Sequence, residues 1–342
     1  MARINRQWRL KRRPVGDIQD GDLELVSAPA PEIADGQALV RNIYLSLDPT
    51  NRIWMSDADQ YLPPVEIGAV MRGGTIGVVE ESRNPDFPVG AIVSPGLSGW
   101  QDYDVALPGM ARVLPVIPGV PITAFMSVLG VTGWTAYFGL LDIGQPKAGE
   151  TLVVSAAAGA VGSIVGQIGK IKGCRVIGIA GSDDKCAWIT RDLGFDGAIN
   201  YKTQDVGAEL DRLCPNGIDI NFENVGGRIM DQVLARMNNF SRMPLCGLIS
   251  SYNAQKAVPG PYNFAQLLMK RVTLRGFIVI DYFDRAQEAI ADLSSWMMQG
   301  KLHYKVHVDQ GLENAPASVK RLFSGDHDGK LLVQISDDPT QT

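Results

Sequence analysis

One segment narrows the fold more than any other: Thr151-Leu-Val-Val-Ser-Ala-Ala-Ala-Gly-Ala-Val-Gly162. Its apolar opening predicts a buried strand and its run of small residues a tight turn. Residues 160–172, closed by Gly173, predict a helix. The alternation continues with a strand over 175–180, a helix over 183–193, a short strand near Ala198 and Ile199, and a strand over 218–223. A helix over 228–237 and strands over 244–250 and 273–280 complete it. Strands alternating with helices imply a parallel, doubly wound α/β sheet.

The first third reads differently. From Trp8 to about Arg112, short strands such as 38–47, 73–80 and 90–94 are separated by Asp-Pro, Asn-Pro and Pro-Gly turns, the pattern of a β-rich domain. At 342 residues the chain has room for about two domains. The division that follows is a β-rich domain over 1–128, a doubly wound domain over 129–302, and a tail over 303–342. The tail returns to strands and packs back on the first domain. Residues 113–141 carry no charge, but Pro115, Pro118 and Pro121 interrupt them. They read as a loop followed by a buried inter-domain helix rather than a membrane span.

Composition removes several classes of function. A hydrophobic fraction of 45% with 20% charged residues is that of a globular chain. The net charge of −5 argues against nucleic acid as a partner. Arg3, Arg6, Arg9, Lys11, Arg12 and Arg13 precede no apolar run, so they read as a solvated first strand around residues 8–10 and not as a secretory signal. Cys174, Cys186, Cys214 and Cys246 form no Cys-x-x-Cys pair and suit a cytoplasmic protein with reduced thiols. His303 and His307 lie four apart, but their surroundings alternate like a strand, so no metal site is expected there or at His327.

Against the dinucleotide fingerprint G-x-G-x-x-G, Gly159 and Gly162 fit and Ala157 takes the first position. Gly159 would let the backbone approach a pyrophosphate, and Gly162 would permit close packing of helix on strand. The helix N-terminus, through Ala160, Val161 and Gly162, adds free amides and the positive end of the dipole. A packing turn with no ligand is the plainer alternative, and the strand–turn–helix–strand series favours the dinucleotide. The strand over 175–180 ends in Gly181-Ser182 with no carboxylate at its tip, and Lys185 lies one turn later. That pattern favours a 2′-phosphate, hence NADP(H), while Asp183 and Asp184 weigh against it unless they only start a helix.

The string from Gly162 through Gly-Gln-Ile-Gly-Lys-Ile-Lys-Gly-Cys-Arg-Val-Ile-Gly-Ile-Ala-Gly-Ser-Asp-Asp-Lys185 resembles the zinc-free medium-chain dehydrogenase/reductases. Within them it resembles the branch of leukotriene B4 dehydrogenases, prostaglandin reductases, plant alkenal double-bond reductases and bacterial curcumin reductase. Further matches are Leu45-Ser-Leu-Asp-Pro49, Thr135-Ala-Tyr-Phe-Gly-Leu-Leu141, Glu223-Asn-Val-Gly-Gly227, Cys246-Gly-Leu-Ile-Ser-Ser-Tyr-Asn253 and Gly329-Lys330, in order along the whole chain. The resemblance implies a GroES-like substrate domain built from both chain ends, a Rossmann domain between them, NADPH in the cleft, and a homodimer. It implies reduction of the carbon–carbon double bond of small-molecule enals and enones. By motif, Gly159 to Gly162 would hold the pyrophosphate, and Gly181, Lys185 and Tyr201 the 2′-phosphate side. Thr135, Asn224, Cys246, Gly247, Ser250 and Tyr252 would line the rest, with Phe277, Ile278 and Val279 beside the nicotinamide.

Two positions depart from the family pattern. Thr50 stands where relatives carry a pocket tyrosine, in Asp48-Pro-Thr-Asn-Arg52, and opens or polarises the pocket. His327 replaces a family asparagine on the cofactor side. Zinc alcohol dehydrogenases draw soft ligands from the first domain, and here that domain has neither Cys nor His. Hydride transfer would then rely on hydrogen bonds, with Tyr252, at the carboxyl edge of the sheet, or the cofactor's ribose hydroxyl donating to the enolate oxygen. Tyr61 is a second pocket candidate. An NADPH:quinone oxidoreductase of the same fold and a non-catalytic NADPH-binding sensor are the competing readings.

Overall fold

The computed structural model describes residues 3–341. The chain forms two compact units, one running to Met126 and resuming at Val306, the other comprising Ser127–Lys305. These breaks fall two or three residues outside the limits expected from the sequence, and local bonds explain why. The Ser127 carbonyl accepts from Thr132 Oγ1 at 2.8 Å and from the Gly133 amide at 3.1 Å, tying it to the helix that follows. At the other end the Gln167 side chain both donates to and accepts from the His303 backbone, and Lys305 Nζ lies 4.3 Å from the centroid of Trp188.

In the first unit β1 (Ile4–Leu10) pairs with β2 (Leu23–Pro29) in an antiparallel ribbon. The centre of the larger sheet is β3 (Ala38–Ser46), whose inward residues are almost wholly buried. Its antiparallel neighbours include β4 (Thr75–Ser82), which leads on to β5 (Ile92–Ser94), while β6 (Tyr103–Ala106) also pairs with β3 and β7 (Arg112–Val113) with β5. Directly after β3, the short helix α1 (Thr50–Trp54) starts at Asp48-Pro49, where proline is preorganised for a first helical turn.

The second unit opens with α2 (Val131–Phe138), continued by a wider turn over Gly139–Gly144. The elements then run β8 (Thr151–Val154), α3 (Gly162–Ile171), β9 (Arg175–Ala180), α4 (Asp183–Arg191), β10 (Gly197–Asn200), α5 (Val206–Leu213), β11 (Ile218–Phe222), α6 (Gly227–Leu234) and β12 (Met237–Leu245). After α7 (Ala265–Met269) and β13 (Thr273–Gly276), α8 (Ala286–Met298) closes the unit. The parallel sheet has the order β10-β9-β8-β11-β12-β13, a doubly wound order whose direction reverses between β8 and β11. Ligands bind outside the carboxyl ends of the strands at such a point.

Three sequence expectations need correction. The strand expected over 244–250 runs instead over Met237–Leu245, and Ile249–Ser251 is a single 3₁₀ turn. Proline supplies no ladder donor, so Pro244 reads as a strand start; it is in fact the next-to-last residue of β12, where its carbonyl accepts from Glu223 N–H at 3.0 Å. The strand expected over 273–280 stops at Gly276, because Phe277 turns into the core against Phe222 and Tyr282. The tail is not all strand: α9 (Ala315–Ser324) lies between β14 (Val306–Gln310) and β15 (Lys330–Gln334). These two strands pair in parallel, which requires a crossover, and β15 joins β3. Pro316 in the first turn of α9 and Gly325, left-handed at its C-cap, are the local signals for that helix.

Candidate active site

The turn after β8 is shaped by close backbone contact. Ala156 adopts a left-handed conformation with φ +50°, and its carbonyl accepts from the Gly159 amide at 2.9 Å. A Cβ on Gly162 would stand 2.4 Å from that carbonyl oxygen and 2.9 Å from Ala157 Cα, so only glycine lets α3 begin this near the strand end. A Cβ on Gly159 would meet nothing nearer than 3.1 Å, so the space it leaves is open to a ligand. The departure at Ala157 is accommodated by the next strand, where a Cβ on Gly178 would come within 2.8 Å of Ala157 Cβ. The Ser163, Ile164 and Val165 amides are already taken by the Gly159 and Val161 carbonyls, so what the start of α3 offers an anion is the positive end of the helix dipole and the amides that precede Ser163.

At the tip of β9, Gly181 faces the Tyr201 ring: a Cβ there would be 3.1 Å from the phenol oxygen. Ser182 caps α4 through its hydroxyl, which accepts from the Lys185 amide. Asp183 does not stand as a lone strand-tip acid. Its carboxylate accepts from the Asn200 side chain at 2.7 Å, and Asn200 in turn accepts from the Lys202 amide. The acids Asp183 and Asp184 occupy the first turn of α4, where the helix dipole favours them.

Beyond β11 the chain forms a second rim. Asn224 donates from its amide to Ser155 Oγ and from its side chain to the Ser155 carbonyl, both at 2.7 Å. Ile249 and Ser250 donate to the Asn224 and Val225 carbonyls, and Ser250 Oγ also donates to Val225 at 2.6 Å. Tyr252 curls back so that its phenol oxygen accepts from the Leu248 amide at 3.0 Å, directly above Gly247. In that bond the phenol is the acceptor. Burial and the neighbouring Glu223 carboxylate push the Cys246 thiol up to about 12.

In the other unit the hydroxyls of Thr50 and Tyr61 hydrogen-bond directly to each other. Burial pushes the Tyr61 phenol up, with the Thr50 contact opposing. The turn that carries Thr50 is pinned from beneath by Lys330, a buried ammonium that donates to the Leu47 carbonyl at 2.8 Å and to Asp48 at 2.5 Å. His327 has a ring nitrogen 3.2 Å from the Arg321 carbonyl at the end of α9.

Comparison with known proteins now places this geometry. Residues 6–114 match the family model described as the N-terminal domain of oxidoreductase, and residues 160–295 the model described as zinc-binding dehydrogenase. The chain is 46% identical over 339 residues to an NADPH-dependent curcumin reductase of Escherichia coli, covering 98% of both chains. It is 40% identical to prostaglandin reductase 1 of Bos taurus, over 96% of this chain and 98% of that one. The crystal structure of CurA in complex with NADPH from Vibrio vulnificus superposes with a TM-score of 0.93 at 48% identity, covering 97% of this chain and 100% of that one. The chain belongs to the zinc-free medium-chain dehydrogenase/reductases, in the branch of the curcumin, prostaglandin and alkenal reductases.

For this reductase-family chain, the structure sorts the residues singled out from the sequence. Gly159, Gly162, Gly181, Tyr201, Asn224, Cys246, Gly247, Ser250 and Tyr252 lie at or just beyond the carboxyl ends of β8, β9, β10, β11 and β12. The Thr135 hydroxyl is turned back to the Val131 carbonyl within α2. Phe277 places its ring in the core, so only its backbone, with Ile278 and Val279, can face a ligand. His303 and His307 do not converge, His307 instead lying 3.2 Å from Asp309, and no cluster of metal-binding side chains occurs among the described residues. Sequence reasoning missed two residues of the rim, Ser155 and Glu223. The available signal was an acid directly after the apolar strand over Ile218–Phe222, where a buried position offers it no water.

Proposed function

We propose that this protein reduces the carbon–carbon double bond of α,β-unsaturated aldehydes and ketones, using NADPH. The observation that carries the reading is the Tyr252 phenol on the loop beyond β12, its oxygen held by the Leu248 amide above Gly247, in a rim that Asn224 ties to Ser155 just after β8. The turn at Gly159 to Gly162 receives the pyrophosphate, and Gly181, Lys185 and Tyr201 receive the 2′-phosphate. Asn224, Cys246, Gly247, Ser250 and the backbone of Phe277, Ile278 and Val279 flank the remainder. Bound NADPH supplies a hydride. As the β-carbon of the enone takes it, the π-electron pair moves onto the carbonyl oxygen. Tyr252 donates a hydrogen bond to that oxygen while the charge resides there, and water then protonates the α-carbon. A donor aimed at developing charge lowers the barrier more than it strengthens binding. In the other unit, the paired hydroxyls of Thr50 and Tyr61 are the candidates for contact with a polar part of the substrate.

The reading extends to a homodimer. The edge strand β13 has all four of its residues exposed, Leu274 among them, and an open parallel edge pairs readily with a copy of itself. A cytoplasmic site of action suits the four free thiols. No helix among the described residues is long and apolar enough to cross a membrane.

The test is NADPH oxidation against a panel of enals, enones, dienones and quinones, with product identified by mass and NMR. Saturated aldehydes or ketones from enals and enones are expected. Turnover of quinones far above all enones, or tight NADPH binding with no turnover of any acceptor, would refute the proposal.

A further inference from the structure

The rim that carries Tyr252 hangs on one buried carboxylate. Glu223 is fully buried just beyond β11, yet among the described residues it forms no ion pair with a Lys, Arg or His. Every hydrogen-bonding partner of the carboxylate is a donor: Ser155 Oγ at 2.8 Å, the Val225 amide at 2.7 Å and the Gly226 amide at 2.8 Å on one oxygen, and Asn221 Nδ2 at 2.9 Å on the other. Burying an acid without a counter-charge is costly, and an apolar side chain would pack the same space more cheaply. What the acid adds is direction. We infer that Glu223 is a positioning residue, which sets where the segment over 224–227 and Tyr252 stand for NADPH and substrate. The inference rests on the function proposed above.

The chain of contacts is continuous. Ser155 ends β8, and its hydroxyl donates to Glu223 while accepting from the Asn224 amide, so the carboxylate orients the first residue of the rim through one intermediary. The bonds to Val225 and Gly226 hold the backbone where Gly226 and Gly227 take φ of +76° and +56°, a bend leading into α6. The Glu223 carbonyl accepts from both the Cys246 and Gly247 amides, at 2.9 and 3.1 Å, and so pins the end of β12 to the same post. Val225, fixed by the carboxylate, accepts from the Ser250 amide and hydroxyl two residues before Tyr252. The ends of β8 and β11 are thus tied by the Glu223 carboxylate, and the end of β12 by its backbone carbonyl.

The Asn221 side chain predicts how substitutions grade. Its carbonyl oxygen is buried with no hydrogen-bond partner. In Glu223→Gln, rotation of the Asn221 amide would present that oxygen to the new Nε2 donor, while Oε1 keeps its three donors. Glu223→Gln therefore preserves the geometry, and Glu223→Ala abolishes it. NADPH dissociation constants are measured by nicotinamide fluorescence well below each variant's melting temperature, with kcat and KM for one enone alongside. Glu223→Ala is expected to weaken NADPH at least tenfold and to lower kcat, with Glu223→Gln within about threefold of wild type. Should Glu223→Ala fail to fold, Ser155→Ala serves, since it removes the link to Asn224 but leaves the carboxylate three donors. It is expected to weaken NADPH about threefold or more. Wild-type affinity in folded Glu223→Ala or in Ser155→Ala, whatever the melting temperature, overturns the positioning role and leaves the reductase reading standing. Failure of the wild-type protein to bind NADPH overturns both.

Discussion

Two glycines of one turn are expected to fail in different ways when a methyl group is added. In Gly162→Ala the new Cβ would lie 2.4 Å from the Ala156 carbonyl oxygen, whereas ordinary contact begins near 3.4 Å. The obstacle is backbone, so relief requires α3 to retreat from β8 by about 1 Å. Overpacking of this kind costs about 1–3 kcal/mol, offset by about 1 kcal/mol of helix propensity gained. For a unit of this size each kcal/mol moves the melting temperature by about 2–4 °C, so the net loss of up to about 2 kcal/mol lowers Gly162→Ala by up to about 8 °C. In Gly159→Ala the nearest atom is 3.1 Å away and a shift of a few tenths of an ångström suffices. Its melting temperature should stay within about 2 °C of wild type. It should nevertheless lose a phosphate contact of about 1.5–3 kcal/mol, one to two decades in NADPH affinity. Differential scanning fluorimetry without ligand and fluorescence titration with NADPH measure the two quantities separately. Equal thermal losses in the two variants, or unchanged NADPH affinity in Gly159→Ala, would refute the division of labour.

Lys185→Ala should weaken NADPH by about one to two decades and leave NADH nearly untouched; equal losses for both cofactors would assign Lys185 a structural role. Tyr252→Phe should lower kcat about tenfold or more at nearly unchanged NADPH affinity. It should also cost about 0.5–1.5 kcal/mol of stability through the lost bond to the Leu248 amide, and a kcat within twofold of wild type would make Tyr252 a mere wall. Burial raises the Asp196 carboxyl, but Lys170 and the Val176 amide outweigh it and hold the group below its ordinary value. A group depressed in the folded state contributes stability above its unfolded pKa and loses it as pH falls through the folded value. Melting temperature should therefore decline as pH drops below about 4, less steeply in Asp196→Asn; parallel profiles would discount the pair. Burial pushes the thiols of Cys174 and Cys214 up to about 11, so a thiol reagent at pH 7.5 should label these two only after unfolding. Fast labelling of either in the native protein would contradict its burial.

The doubly wound unit was legible because its signals are local. A four-residue apolar strand, a glycine turn and a helix closed by Gly173 lie within about two dozen residues, and each depends on neighbours one to four positions away. The β9 strand over Arg175–Ala180 matches its sequence expectation residue for residue. Expectation failed where a distant partner intervenes. The end of β12 is set by the Glu223 carbonyl, and the end of β13 by the pocket that Gly139 opens for the Phe277 ring. In the tail, α9 was hidden because a ten-residue helix with small and polar residues competes with flanking β-branched strands in any short window.

By itself, the sequence determined the parallel sheet, the position of the glycine turn after β8 and the absence of a strand-tip acid, since each is written in residue types at fixed short spacing. Only the tertiary structure decided that Ser155 meets Glu223 across 68 residues, that Lys330 reaches Asp48 across 282, and that Thr50 and Tyr61 share a hydrogen bond. Buried polar groups must find partners, but which partner is available depends on which strand ends the sheet order brings together. No local pattern encodes that order, because it is settled by packing whole strands and helices into one core.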